Sequence, residues 1–391
     1  MYDTIVVGAG PTGSYIAGRL ASWGHNVLVL EKQECIGKAS CCTGIVGKEC
    51  LQSFPFGKEA VLRESRSAKL FAPSGEHLGV RKDTTQAYIL DRAVFDAEIA
   101  RSAQGQGAQY LMGSQVTGIS VGTGLVSVES KSQGRPLDFG GKTVVIASGF
   151  GSKLPLELGL RGNGDFVMGA QAEVEAMGLD EVEVYFGSHV APGFFAWLVP
   201  TSQGRALAGL LSRHHTGSYL KRFLHDVASR GKIASPEVRI RYGGIPLEPL
   251  PRTSGERVIV VGDAAGQVKP TTGGGIYYGL LCAHIAADTL HQALCANDFS
   301  TKALSSYDRK WRGMLSQELR IGRWARWVFE KLNDRQIEYL FQRARSRHIP
   351  ESLLNAADFS FDSHGRLIVR GARYVGLVGA MSLLWLCVHR Q

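Results

Sequence analysis

Apolar residues near the start of the chain form two short unbroken runs, Ile5-Val6-Val7 and Val27-Leu28-Val29-Leu30, joined by an Ala/Leu-bearing segment that reaches Trp23. Runs of that length fit buried strands and the segment between them fits a helix, so residues 2–31 read as a βαβ unit. From Tyr88 a short apolar strand leads into Asp91-Arg92 and a helix with Val94, Phe95 and Ile99 on one face. Residues 108–146 alternate as strands do and end in Val144-Val145-Ile146. The stretch 165–211 is rich in strand formers, and its segment Phe194-Phe195-Ala196-Trp197-Leu198-Val199-Pro200 suits a sheet covering a cavity. A further apolar strand, Val258-Ile259-Val260-Val261, feeds a helix expected from about Gly275 to Leu290. Beyond Thr301 the pattern is helical. Tyr307, Trp311, Leu315 and Leu319 recur every fourth position, Ile321, Trp324, Val328 and Leu332 continue the stripe, and Arg309, Lys310, Arg312, Arg320, Arg323 and Arg326 supply charge.

The 391 residues are 44% apolar and 20% charged with only 13 prolines, which excludes a disordered or fibrous chain and leaves room for two or three domains. The net charge of +9 is concentrated, because residues 301–391 hold 16 Lys and Arg against 8 Asp and Glu. Two readings of this basic region stand: a helix packed on the domain with a solvated face, or a surface meeting anionic lipid headgroups or a diphosphate substrate. Nucleic acid is not expected, because no recognition module accompanies the charge. The final apolar run, Tyr374 to Val388, has 15 residues. As a helix it would extend about 22 Å, short of the ~30 Å hydrocarbon core, so it reads as a buried terminal helix or a monotopic anchor. No secretory leader is read at the N-terminus, and a cytoplasmic protein, peripheral to a membrane, is expected.

Glycine is in surplus, with 48 residues, and two turns give part of the surplus a purpose. Gly8-x-Gly10-x-x-Gly13 lies between a strand and a helix, with Pro11 and Thr12 inside it and Glu31 and Lys32 closing the second strand. The first glycine permits a tight turn, the second lets a pyrophosphate approach the backbone, and the third lets helix and strand pack closely; Glu31 can hydrogen-bond a ribose hydroxyl. This loop alone does not separate NAD from FAD. The later block Gly262-Asp263-Ala264-Ala265-Gly266, continuing to Thr272-Gly273-Gly274-Gly275-Ile276, follows another strand and opens another helix. A second segment of this kind is what FAD needs for its isoalloxazine-ribityl half. Asp263 is expected on the ribityl hydroxyls and the N–H groups of Gly274, Gly275 and Ile276 beside the flavin ring.

These two loops, with Asp91-Arg92-x-x-Phe95-Asp96 between them, resemble the p-hydroxybenzoate-hydroxylase-like FAD superfamily, and within it the chain looks like the geranylgeranyl reductase family. Phe195-x-Trp197-x-Val199-Pro200 is similar to that family's Tyr-x-Trp-x-Phe-Pro element, with Tyr replaced by Phe and Phe by Val. A Gly-x-Gly expected soon after is here Gly209-Leu210-Leu211. Cys42-Thr43-Gly44 matches the family's Cys-x-Gly segment. Ser148-Gly149 stands where many relatives have Asp-Gly. The resemblance implies Cys42 and Thr43 against FAD, Arg92 at the cofactor's phosphate region, and the strand near Val116 supporting the adenine side. It also implies Phe195, Trp197 and Pro200 on a prenyl chain, with Cys42 and Trp197 as the catalytic candidates.

The expected fold is α/β: a Rossmann-type FAD-binding domain from 1–165 and 240–300, an antiparallel-sheet substrate domain at 166–239, a basic helical region at 301–373 and an apolar tail at 374–388. The expected activity is FAD-dependent saturation of C=C bonds in a prenyl lipid, with electrons from NADPH or a ferredoxin-like donor protein. Its alternatives are an aromatic hydroxylase or halogenase of the same superfamily, or a membrane-associated electron-transfer flavoprotein. Cys35, Cys41, Cys42 and Cys50 do not have zinc or iron–sulfur spacing, and no metal is expected.

Overall fold

The computed structural model describes residues 1–37, 41–54, 58–162, 164–347 and 360–375. The buried runs foreseen at the N-terminus pair side by side. Tyr2–Val7 lies between Val27–Leu30 and Arg135–Ile146, parallel to both, and Val258–Val260 adds in parallel beyond Arg135–Ile146. The order is Ser254–Gly255, Val258–Val260, Arg135–Ile146, Tyr2–Val7, Val27–Leu30, Gln109–Leu111, with a meander of Ser114–Val121 and Val126–Ser132 against Arg135–Ile146. Such strands are apolar throughout because both faces are covered. The helices Pro11–Ser22, Ile276–Ala296 and Arg92–Gly105 pack together on this layer.

A second sheet has the order Ile240–Pro246, Phe166–Glu175, Arg205–Ser212, Ala196–Pro200, Val182–Tyr185, Ser67–Phe71, His77–Arg81. It is antiparallel except where Val182–Tyr185 meets Ser67–Phe71. The helix Thr216–Ser229 packs on it, burying Leu220, Phe223, Leu224 and Val227. A small third sheet of Ile45–Gly47, Ala87–Leu90 and Val61–Ser65 joins the two layers in sequence. The expected domain limits need correcting at two places. Strands 67–81 and 240–246 complete the substrate-side sheet by pairing at its two ends, although 1–165 and 240–300 were both read as nucleotide-binding. Edge pairing between segments about 70 to 115 residues apart leaves no local periodicity to read.

The long helix Thr301–Glu330 inserts Leu304, Tyr307, Trp311, Leu315 and Leu319 into the core of the first layer, so this half of the stripe is packing. Arg309, Lys310 and Arg320 are exposed, but Arg326, read as part of the charged face, is buried at 6% exposure. It donates to the Gly193 carbonyl and pairs with Glu330. Most of the apolar tail, from 376 onward, lies outside the described residues. Among the described residues no helix is long and apolar enough to cross a membrane.

Candidate functional site

Each glycine of the first loop has a distinct job. Gly8 turns with φ +104°, and a Cβ there would lie 2.5 Å from the Ala147 carbonyl oxygen. A Cβ on Gly13 would collide with the Gly8 carbonyl, so helix and strand close only on glycine. Gly10 is the opposite case: nothing lies within 4 Å of its Cβ position. Gly10 is the N-cap of the helix that starts with Pro11 and supplies no side-chain cap. The uncapped N–H groups and open backbone make a cradle for an anion. Glu31 Oε2 accepts from the Ala9 N–H at 2.8 Å and Oε1 from the Gln33 N–H at 2.8 Å, so the acid tethers the loop that it was expected to serve.

The second loop is held from behind by Gln267, which no motif role marked, and Tyr307, marked only as part of a helical stripe. Gln267 Oε1 accepts from the Gly262 N–H at 2.8 Å, Gln267 Nε2 donates to the Tyr307 hydroxyl at 2.7 Å, and that hydroxyl donates to the Val260 carbonyl at 3.1 Å. Gln267 and Tyr307 are fully buried. Gly275 caps the helix Ile276–Ala296 without a side-chain cap. A Cβ on it would lie 2.7 Å from Asp263 Oδ1, so the bare backbone keeps the carboxylate and the helix start together. Asp263 opens onto the cavity yet is walled in by protein, and this desolvation raises its pKa against the opposing charge of Arg92.

Between the loops, Asp91 caps the helix Arg92–Gly105 by accepting from the Ala93 and Val94 N–H groups. Arg92 makes two hydrogen bonds to Asp96, at 3.1 and 3.0 Å. Burial opposes its charge, but the neighbouring Cys42 and Asp96 prevail and hold the guanidinium pKa above its ordinary value. Cys41 differs: burial, then the neighbouring Cys42, push its thiol up to about 11. The Cys42–Thr43 segment is fastened to the substrate-side sheet by Gln171. Thr43 Oγ1 donates to Gln171 Oε1 at 3.1 Å, and Gln171 Nε2 donates to the Cys42 carbonyl at 3.3 Å. Gln171 is buried in the strand Phe166–Glu175, and no motif marked it.

One cavity of about 950 Å³ connects all of this. Its lining includes Gly8, Gly10, Pro11, Thr12, Glu31, Lys32, Cys42, Thr43 and Arg92 on one side, and Gly262, Asp263, Gly274, Gly275 and Ile276 on another. It continues along the second sheet between Phe186, Phe195, Trp197, Leu211 and Phe329. Trp197 and Gly209 are register partners, and a Cβ at Gly209 would lie 2.5 Å from the indole, so the glycine lets Trp197 lie flat across its strand. Leu211 occupies the position expected to be the second glycine of that element and faces the cavity. The Ser148 hydroxyl and Trp197 Nε1 are buried without a hydrogen-bond partner among the described residues. Three predicted residues are elsewhere. Gly13 packs behind the loop, Val116 packs under the first sheet, and Pro200 borders a separate small depression with Arg63 and Asp180.

The C-terminal segment completes the wall, which the sequence did not reveal. Phe361 and Ile368 line the cavity. Lys269, in the second loop, is 6% exposed and pairs at 3.4 Å with Asp362, 2% exposed, which also accepts from the Gly47 N–H at 3.2 Å. Burial lowers the Lys269 pKa and Asp362 opposes that shift. His364 Nε2 donates to the Phe361 carbonyl at 2.8 Å, and Nδ1 lies 2.9 Å from the Thr271 hydroxyl, which donates to it in the neutral ring. Burial, helped by Lys269, lowers its pKa to about 3.

The fit to FAD is therefore structural: an open glycine at a helix start, an acid on the following strand, and an uncapped second helix start beside an enclosed carboxylate. Comparison with known proteins agrees with it. The pyridine nucleotide-disulphide oxidoreductase profile matches residues 2–183. The digeranylgeranylglycerophospholipid reductase of Methanocaldococcus jannaschii is 30% identical over 354 residues, covering 87% of this chain and 90% of the relative. That of Methanocella arvoryzae is 33% identical over 336 residues, covering 81% and 84%. In structure, the chain is similar to a geranylgeranyl bacteriochlorophyll reductase-like protein of Thermoplasma acidophilum, with a TM-score of 0.83, 23% identity and 95% of each chain covered. A p-nitrophenol 4-monooxygenase of Pseudomonas putida shares the fold with a TM-score of 0.72 at 18% identity, covering 96% of each chain.

Proposed function

Because the chain belongs to the digeranylgeranylglycerophospholipid reductase family, we propose that it is an FAD-dependent oxidoreductase that saturates C=C double bonds of a geranylgeranyl-type prenyl lipid. The observation that carries this reading is the continuity of the cavity, from the glycine cradle past Cys42 to an apolar trough under Trp197. When bound, FAD supplies the two-electron reducing chemistry, as a hydride delivered to one alkene carbon.

The residues of the chain supply the rest. Gly10 and the Pro11 helix start would receive the pyrophosphate, and Glu31 and Lys32 would hold the ribose. Asp263 would hold the ribityl hydroxyls, and the N–H groups of Gly274, Gly275 and Ile276 would stabilise negative charge on the reduced ring. An isolated alkene is a poor hydride acceptor, so a proton must reach the second carbon as the hydride arrives. The Cys42 thiol, held by Gln171 through its own carbonyl and through Thr43, is the group assigned to hold that proton, with Arg92 beside it. Phe186, Phe195, Trp197, Leu211 and Phe329 grip the chain through apolar area alone, about 25 cal/mol per Å² buried, and keep water from the reacting carbons. Such a trough recognises isoprene length and shape and needs few polar contacts.

The C-terminal region, its basic residues together with the apolar tail 374–388, is assigned to peripheral contact with anionic lipid, bringing the cavity to the membrane that stores its substrate. The electron donor is NADPH or a ferredoxin-like protein; Ser148, in place of the usual acid, favours the protein donor. The test is anaerobic incubation of the reduced protein with a geranylgeranyl lipid. A gain of about two mass units per double bond supports the assignment. An unchanged lipid with oxygen-dependent hydroxylation of an aromatic compound would favour the hydroxylase chemistry instead.

A further inference from the structure

The two helices whose starts build the cofactor cradle carry a second constellation at their far ends. His25 follows the helix Pro11–Ser22 after the turn at Trp23-Gly24, and His291 and Cys295 lie one turn apart near the end of Ile276–Ala296. His25 Nε2 is 2.8 Å from His291 Nδ1, and Cys295 Sγ is 3.9 Å from that same nitrogen. The three ligand atoms all lie within 4.8 Å of one another. With metal–nitrogen distances of about 2.0 Å and metal–sulfur of about 2.3 Å, tetrahedral ligands stand roughly 3.3 to 3.6 Å apart. The observed separations straddle that spacing, so small side-chain rotations would converge all three on one ion.

The rings are already oriented for this. His291 packs on the Trp23 indole, with centroids 4.4 Å apart and planes inclined by 33°. Trp23 is itself covered on its ring by the Arg19 guanidinium at 4.5 Å. Two ring nitrogens facing each other at 2.8 Å share at most one proton, so at least one has its lone pair directed into the gap. None of the three residues lines the cavity. The shorter helix alone has 12 residues, or about 18 Å, between its start at the cradle and its His25 end.

We propose that His25, His291 and Cys295 form a binding site for a borderline-soft divalent cation of the zinc class, which clamps together the far ends of the two cradle helices. Two imidazoles and a thiolate select against magnesium and calcium, which require oxygen ligands, and water takes the fourth position. On binding, the proton between His25 Nε2 and His291 Nδ1 moves to the other nitrogen of its own ring, the sulfur–hydrogen bond of Cys295 breaks with its proton going to solvent, and two metal–nitrogen bonds and one metal–sulfur bond form; nothing is oxidised or reduced.

Cobalt(II) is the probe, because its bond to a thiolate gives an ultraviolet charge-transfer band. The FAD-loaded full chain, freed of metal by chelation, is titrated with cobalt(II) and then with zinc(II). The expected result is one equivalent per chain, a thiolate band that zinc abolishes, and a melting temperature raised by zinc. Cys295→Ser loses the band, His291→Ala weakens binding at least tenfold, and Cys35→Ser keeps both. Both first variants retain flavin and reductase activity in the absence of metal, since neither side chain lines the cavity. Absence of the thiolate band, or binding unchanged by Cys295→Ser and His291→Ala, overturns the site and leaves the pair as a simple histidine–histidine hydrogen bond. Loss of reductase activity in wild type would count against the proposed function and not against the metal site.

Discussion

Gly209→Ala puts a single methyl group where the substrate trough is least able to accept it. The added Cβ would stand 2.5 Å from Trp197 Cζ2, 2.6 Å from Cε2 and 2.8 Å from the Ala170 carbonyl oxygen. Ala170 is fixed on both sides, by Leu210 in one neighbouring strand and Tyr242 in the other, so the backbone cannot retreat. The indole must move instead. Reaching ordinary contact at 3.4 Å requires a shift of about 0.9 Å, and Trp197 lines the cavity, so the movement is into the space for the lipid. Overpacking of this size costs about 1–3 kcal/mol in stability. A lost methylene of room in an apolar pocket costs a similar amount in transition-state binding, or about 10- to 200-fold in kcat/KM. Flavin content and flavin reduction stay normal, because the loops are untouched. Trp197→Phe in the same chain removes the clashing atoms, so the double variant recovers most of the loss relative to Trp197→Phe alone, a coupling that distant sites do not give. The assays are melting temperature, flavin absorbance and steady-state kinetics with a geranylgeranyl lipid. Equal losses of flavin and lipid turnover in Gly209→Ala, or strictly additive effects in the double variant, would refute the packing argument.

Three further outcomes are expected. Gly10→Val, at a position with nothing within 4 Å of the Cβ, leaves the melting temperature of the flavin-free protein nearly unchanged but abolishes FAD binding; Gly13→Ala, which collides with backbone, lowers both. His364, neutral in the folded protein with a pKa near 3 against an unfolded value of about 6.5, binds fewer protons folded than unfolded between those values, so stability falls as pH drops below about 6.5. The hydrogen-exchange protection factors of residues 360–375, corrected for the intrinsic pH dependence of exchange, should fall from pH 6.5 to 4, and His364→Gln should remove much of that fall; an identical profile in the variant contradicts the assignment. Truncation after residue 370 should release the protein from anionic vesicles in a sedimentation assay while FAD stays bound, and undiminished vesicle binding would place the membrane contact elsewhere.

The parts of the site legible in the sequence are those that local chain geometry dictates. Gly8, Gly10 and Gly13 act within one turn, and Asp263 and Gly275 within one loop, so their spacing is the signal. Cys42 and Trp197 came from resemblance to a family and not from periodicity. What remained hidden depends on segments distant in sequence meeting in space. Gln171 joins the Cys42 segment to a strand 128 residues beyond Thr43, and Gln267 leans on Tyr307, which the helical stripe marked only as core. The same holds for Lys269 with Asp362, two buried charges that a sequence reading assigns to the surface. Leu211 shows the reverse: read as a missing glycine, it is a wall residue of the trough. The edge strands 67–81 escaped assignment because pairing partners, unlike amphipathic faces, are not written in a strand's own pattern.

Prenyl reduction by this chain requires one cavity to hold both the flavin and the prenyl chain. Anaerobic single turnover with chemically reduced, FAD-loaded protein measures this directly, with flavin reoxidation followed optically and lipid mass by spectrometry. Each flavin reoxidised is expected to add about two mass units to a geranylgeranyl lipid, and Trp197→Ala to slow this step while leaving flavin content intact. Reoxidation that requires oxygen or an added protein acceptor, with the lipid mass unchanged, would contradict it.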